Sequence, residues 1–189
     1  MSNVQTLINT INSNNFVVLD TETTGLERPA EIVQIAIIDC NGTALLDCYV
    51  NNRYPVPKAA QDIHHITDEV LKKYGLPWSS VRPLVLKAIE SKDVIVYNAK
   101  YDRMMLHLTD EANGYEHTEY KTSSNWICAM TGFAEWNGEL HPYFGSYVWK
   151  SLDYATSKLR IINESAHSAL GDCNATLAVC RKLAELKAK

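Results

Sequence analysis

The pair Asn41-Gly42 lies between two β-like apolar runs, Ile32–Asp39 and Thr43–Val50, and this arrangement commits the chain to an antiparallel hairpin with a type I′ turn. Upstream, Phe16–Leu19 reads as a buried strand, preceded by a short segment with Val4, Leu7, Ile8 and Ile11 at helical spacing. The first three strands therefore form an antiparallel meander. The period then changes. Thr67 caps a short helix through Leu71 and Tyr74, stopped by Gly75. Ser80 is expected to cap a helix over Val81–Ser91, with Pro83 at its third position, where the missing N–H costs nothing.

Asp93–Tyr97 follows as a fourth strand, then a helix from near Tyr101, and Trp126–Cys128 as a fifth strand leading into a helix over Ala129–Glu135. Residues 136–150 have no clear period and read as a long loop or irregular hairpin. Ser151–Leu159 is expected to be helical, as is Ala169–Ala188, whose apolar residues at 170, 173, 177, 180 and 183/184 form one stripe. A meander followed by alternating helices and strands implies an α/β fold: one domain over residues 1–189, a central mixed five-stranded sheet flanked by helices.

A chain of 189 residues can bury roughly two-thirds to three-quarters of its unfolded surface. Five cysteines without a Cys-x-x-Cys pair argue against a disulfide framework and a structural zinc site; Cys173 and Cys180 read as core residues of one helix face. No apolar run reaches the ~18 residues of a membrane span, and no basic segment followed by an apolar stretch opens the chain, so a cytoplasmic protein without a membrane partner is expected. The net charge of −4 is unlike that of a basic nucleic-acid binder, but two bound divalent cations would bring it to zero.

The chemistry-bearing residues sit where apolar strands end or helices begin. Asp20 and Glu22, two apart on a strand, project to the same face with roughly 6.5–7 Å between them along the chain. Asp102 opens a helix after the fourth strand, a position that suits a helix cap as well as a metal ligand. His167 and Asp172 are about 140° apart on an ideal helix, so Asp172 belongs to the first turn of the last helix and His167 to the loop before it. Carboxylates gathered around two cations ~3.5–4 Å apart form a site for phosphodiester hydrolysis, oxygen-only ligands favour Mg²⁺ or Mn²⁺, and an imidazole can accept the proton of the attacking water.

On these residues the chain resembles the DEDDh 3′→5′ exonucleases, the histidine branch of the DnaQ-like family in the ribonuclease H-like superfamily. The first motif matches Asp20-Thr21-Glu22-Thr23-Thr24-Gly25-Leu26, the second Asn98-Ala99-Lys100-Tyr101-Asp102 with Leu106, and the third His167-Ser168-Ala169-Leu170-Gly171-Asp172 with Ala175 and Thr176. Ile63-His64-His65-Ile66-Thr67 is similar to a further family segment, and Trp126-Ile127-Cys128-Ala129-Met130 resembles the exonuclease X-like group. Tyr97 stands in place of a frequent His, and His65 in place of a Gly. The match runs from 16 to about 185.

The resemblance implies the ribonuclease H-like fold and a site in which Asp20, Glu22 and Asp172 hold one of two divalent cations (Mg²⁺ or Mn²⁺). Asp20 would bridge to the second, Asp102 would act mostly through water and His167 would be the general base. Thr23, Gly25, Leu26, His64 and Asn98 would surround the 3′-terminal nucleotide. The implied activity is release of nucleoside 5′-monophosphates from single-stranded DNA or 3′ overhangs, in DNA repair or replication. An exoribonuclease of the same branch is the alternative, and a catalytically silent nucleic-acid-binding module a more distant one. No polymerase-binding C-terminal extension is expected, and a homodimer is compatible with the reading. The aromatic residues Trp136, Tyr143, Phe144, Tyr147 and Trp149 read first as a hydrophobic cover on the sheet edge, and second as a base-stacking surface with Lys150 holding a phosphate. Lys100 and Arg103, flanking Asp102, are further candidates for phosphate contact.

Overall fold

The structure, a computed structural model, describes residues 2–26, 28–116 and 120–187. Its centre is a five-stranded sheet of β1 (Phe16–Thr23), β2 (Ile32–Asp39), β3 (Ala44–Tyr49), β4 (Asp93–Val96) and β5 (Asn125–Cys128), in the order β3-β2-β1-β4-β5. β1, β2 and β3 pair antiparallel, whereas β1–β4 and β4–β5 are parallel. This is the mixed sheet that the meander and the later β-α alternation predict.

Helices cover both faces. One is packed by α1 (Asn3–Ser13), α7 (Ala129–Asn137), α8 (Leu152–Leu159) and α9 (Ala169–Lys187), against Phe16, Val18, Ala36, Ile38, Ile95 and Ile127. The other is packed by α4 (Trp78–Ile89) and α5 (Ala99–Ala112), against Val17, Leu19, Ile35, Ile37, Val94 and Val96. With both faces covered, the central strands read as unbroken apolar runs rather than alternating ones. Alternation along β1 continues past the core, so Asp20 and Glu22 fall on the α9 side and Thr21 on the α5 side. Cys173 and Cys180 are buried in the first core, and all five cysteines are free.

Several local details differ from the sequence expectation. In the β2–β3 turn only Gly42 has a positive φ, at 94°, whereas a type I′ turn needs it at both central residues. The turn closes instead through Gly42 N–H to the Asp39 carbonyl (3.0 Å), and the Asp39 carboxylate accepts from the amides of Asn41 and Thr43, both at 2.8 Å. α4 begins at Trp78, after Pro77, not at Val81 after a Ser80 cap, so Pro83 falls at the sixth position. The buried Trp78 explains the earlier start: its indole N–H donates to Asp110 at 2.7 Å, fixing the first turn inside the core.

α5 starts two residues before Tyr101, at Ala99. Thr67 caps α3 (Asp68–Tyr74) through the Val70 amide, as expected, whereas Ser151, expected as the first helical residue, instead caps α8 through the Tyr154 amide. Two short helices, α2 (Lys58–His64) and α6 (Tyr120–Ser123), have no strong signal in the sequence. The last helix is described to Lys187, and the expected Ala188 lies outside the described residues. Among the described residues no helix is long and apolar enough to cross a membrane.

Candidate active site

The end of β1 carries Asp20 and Glu22 to the sheet edge, and α9 crosses the same face so that Asp172, in its first turn, meets them. Ligand oxygens of Asp20, Glu22 and Asp172 all lie within 4.8 Å of one another. The start of α9 is fixed by Gln34, which pairs with Glu22 in the β1–β2 register; its side-chain carbonyl accepts the Ala169 amide at 3.2 Å. Asn163 Nδ2 donates to Asp172 at 2.9 Å.

Asp102 arrives from the opposite face. It sits buried in the first turn of α5, and Thr21, pointing to that side of β1, donates its hydroxyl to Asp102 Oδ1 at 2.8 Å. Asp102 thus faces the other three from across the strand end and stands outside their tight cluster.

The electrostatics are those of an uncompensated acidic site. Burial, followed by the charges of Asp102, Asp172 and Glu22, pushes the Asp20 carboxyl well above the usual carboxylate range. Burial, then Asp172 and Asp102, raises Glu22 to about 8. Burial raises Asp102 against the opposing Thr21 hydrogen bond. Asp172 also rises by burial, opposed by the Asn163 hydrogen bond and by the charge and backbone of His167. No described ion pair involves any of the four. Carboxylates that repel one another and resist ionisation at this spacing fit divalent cations, and hard oxygen donors suit Mg²⁺ or Mn²⁺.

His167 is exposed on the turn before α9, with φ at 63°. Its imidazole and its backbone N–H both lie near enough to Asp172 to oppose the rise of that carboxyl, so the loop is tied to the acidic cluster. His64 is placed differently. It is buried, and its Nδ1 accepts the Ile66 amide at 3.0 Å. The proton therefore belongs on Nε2, which donates to the Thr23 carbonyl at 3.2 Å. Burial holds its pKa below the ordinary value, and both ring nitrogens are engaged with backbone.

Thr23 and Gly25 are bound to each other and to Tyr101. The Tyr101 hydroxyl donates to the Gly25 carbonyl at 2.9 Å and lies 2.6 Å from Thr23 Oγ1. Leu26 is exposed beside them, and Asn98 is exposed at the start of α5 with no side-chain capping bond. Lys100 is exposed, whereas the Arg103 guanidinium lies over the Trp126 ring, 5.9 Å from its centroid.

Sequence reasoning passed over five residues that shape this site: Thr21, Gln34, Tyr101, Asn163 and Asp153, the last close enough to raise the pKa of Asp172. Of these, Thr21 carried a usable signal. A polar residue between two same-face carboxylates points to the opposite face, where a fourth acid would need a donor.

The family model described as Exonuclease (RNase_T) matches residues 17–180. The chain is 36% identical over 172 residues to the uncharacterised exonuclease CP81 of Escherichia phage 186, covering 89% of this chain and 88% of that one. It is 32% identical over 184 residues to a DNA polymerase III subunit epsilon-like protein of Rhodobacter capsulatus, covering 92% of this chain but only 24% of that protein. Among solved structures, exonuclease X in complex with 5′-overhanging duplex DNA superposes with a TM-score of 0.64 at 22% identity, over 92% of this chain and 93% of that one. Exonuclease I of E. coli with a dT13 oligonucleotide gives 0.71 at 19% identity, over 89% and 40%. At these identities the two structures speak for the fold.

The ribonuclease H-like sheet, with an acidic cluster able to bind metal at its edge, together with these matches, defines a hydrolytic nuclease. Within that class the chain belongs to the DEDDh exonuclease family.

Proposed function

We propose that this chain is a metal-dependent 3′→5′ exonuclease that releases nucleoside 5′-monophosphates from single-stranded DNA or 3′ overhangs. The observation that carries this reading is the convergence of Asp20, Glu22 and Asp172 within 4.8 Å, with Asp102 close behind and no ion pair to any of the four among the described residues. Asp20, Glu22 and Asp172, with Asp102 contributing from the α5 side, would hold the divalent cations, Mg²⁺ or Mn²⁺. Bound divalent cations at such a site activate a water and stabilise the attacking and leaving oxygens of a phosphodiester displacement.

The chain's own groups supply the remainder. His167, exposed on a loop tied to Asp172, is free to approach the attacking water and accept its proton. Gly25 and Leu26, on the loop braced by Tyr101, and the uncommitted side chain of Asn98 border the space where a 3′-terminal nucleotide would lie. His64 supports this reading from beneath, since its hydrogen bond holds the carbonyl of Thr23.

The test is digestion of 5′-labelled single-stranded DNA and RNA oligonucleotides with Mg²⁺, Mn²⁺ or chelator. A metal-dependent ladder shortening from the 3′ end is expected, with DNA preferred. No cleavage of either polymer in either metal would reject the reading, and a preference for RNA would replace the substrate.

A further inference from the structure

Within the segment expected as a long loop or irregular hairpin, residues 138–150 form a small hairpin, and its aromatic residues, read first as a cover on the sheet edge, are largely in solvent. Leu140 bridges Tyr147, the His141 amide donates to the Ser146 carbonyl at 2.8 Å, and the Val148 amide to the Glu139 carbonyl at 2.8 Å. Gly145, with φ at 63°, turns the tip. Trp136, at the end of α7, packs against the core, but the aromatic residues beyond it do not: Tyr143 is 86% exposed, Phe144 76% and Trp149 65%. The His141 ring lies 4.5 Å from that of Phe144. A hydrogen-bonded projection that holds several aromatic rings in water marks a binding surface.

The position of the hairpin indicates its occupant. The buried Tyr97 donates its hydroxyl to the carbonyls of Lys150 and Ser151, both at 2.9 Å, and so anchors the hairpin base. Tyr97 directly precedes Asn98 and the α5 turn that carries Asp102. Ser151 caps α8, which packs against α9, the helix that carries Asp172 in its first turn. The hairpin therefore rises from the rim of the acidic site.

Its charges are closed off: Lys150 Nζ is 2.8 Å from Glu139 and 5.1 Å from the centroid of the Tyr154 ring, which commits this cation within the protein rather than to a phosphate. What the hairpin presents is aromatic faces without free charge, the chemistry that takes bases rather than phosphates. We propose that the 138–150 hairpin is a base-stacking arm that receives unpaired nucleobases of the strand whose 3′ end enters the acidic site. This assignment rests on the nuclease reading for the nature of its ligand.

The test is metal-free binding of a fluorescein-labelled oligothymidylate of about a dozen nucleotides, read by fluorescence anisotropy. The triple variant Tyr143→Ala, Phe144→Ala, Trp149→Ala is expected to bind about 10- to 100-fold more weakly, and Trp149→Phe, which keeps a ring, to stay close to wild type. An oligonucleotide of abasic residues should bind wild type and triple variant equally. The salt dependence of binding should have the same slope in both proteins, because the hairpin contributes no free cation.

Wild-type affinity for oligothymidylate in the triple variant would overturn the proposal, as would a reduced salt slope. Sedimentation showing that the variant loses only self-association would reassign the surface to a second copy of the chain. Binding is read here without cleavage, so a protein that binds through the hairpin yet cuts neither DNA nor RNA would refute the nuclease reading alone.

Discussion

Gly171 and Ser165 approach so closely that a side chain at 171 would collide with the backbone carbonyl of Ser165. The bare position lets the 163–168 loop fold over the first turn of α9 and brings Asn163 and His167 to Asp172. In an ordinary helix Gly→Ala stabilises by about 0.5–1 kcal/mol. Here Gly171→Ala is expected to lower the melting temperature and to reduce kcat by about tenfold or more, as the His167 loop is pushed outward. Thermal unfolding and single-turnover cleavage check this; a more stable variant with normal turnover would show that the loop position does not matter.

The raised carboxyls make the metal-free protein sensitive to alkali. Glu22 keeps its proton up to about 8 instead of 4.5, and Asp20, Asp102 and Asp172 move in the same direction. Between those values the folded state binds more protons than the unfolded chain, so stability falls as pH rises through the window. His64, with its lowered pKa, opposes this below about 6.5, but it is one group against four. In chelator the melting temperature should be lower near pH 8 than near pH 5, and Mg²⁺ should restore it near pH 8. Melting scans with and without the ion measure both effects; a metal-free melting temperature that rises over this range would contradict the account.

Thr21→Val keeps the shape of the residue and removes the hydroxyl that donates to Asp102. Leaving that buried acceptor without its donor costs roughly 1–3 kcal/mol. The Mg²⁺ concentration for half-maximal activity should rise, and Thr21→Ser should return it towards wild type. Activity titrated against Mg²⁺ for the three proteins decides the point.

His167→Ala and Asp20→Asn should each lose most turnover for different reasons. His167 is exposed, so its removal should leave the melting temperature in place while kcat falls by about 10²–10⁴ and the rise of rate with pH flattens. Asp20→Asn removes one of four mutually repelling acids and should raise metal-free stability near pH 8 while weakening Mg²⁺ binding. Calorimetry with Mg²⁺ and pH–rate profiles separate the two.

The strand runs at 16–19, 32–39 and 93–96 were legible because both faces of the sheet are covered, so each strand announces itself as an apolar block. The acidic residues were legible because each lies at a strand end or a helix start. Residues acting through tertiary contacts were not: nothing near Gln34 in the chain says that its side chain holds an amide 135 positions away, and nothing near Asn163 marks its bond to Asp172. The start of α4 is not legible locally: Ser80 offers a cap, but the buried hydrogen bond of Trp78 to Asp110, a tertiary contact, sets the first turn. The aromatic residues of the 136–150 segment read first as a sheet-edge cover because composition alone does not tell a buried ring from a presented one.

The thiol of Cys173 lies against the carbonyls of Val18 and Ala36, which ties α9 to strands laid down about 140 to 155 positions earlier. A ribosome therefore exposes Asp20 and Glu22 long before it delivers Asp172. Until the final helix docks, the nascent chain carries two acids on an unfinished sheet and cannot assemble the acidic triad. Contacts of such long sequence separation form late in folding. Catalytic competence should then arrive in a single step, at docking, so that no partly made chain can degrade the nucleic acids around it.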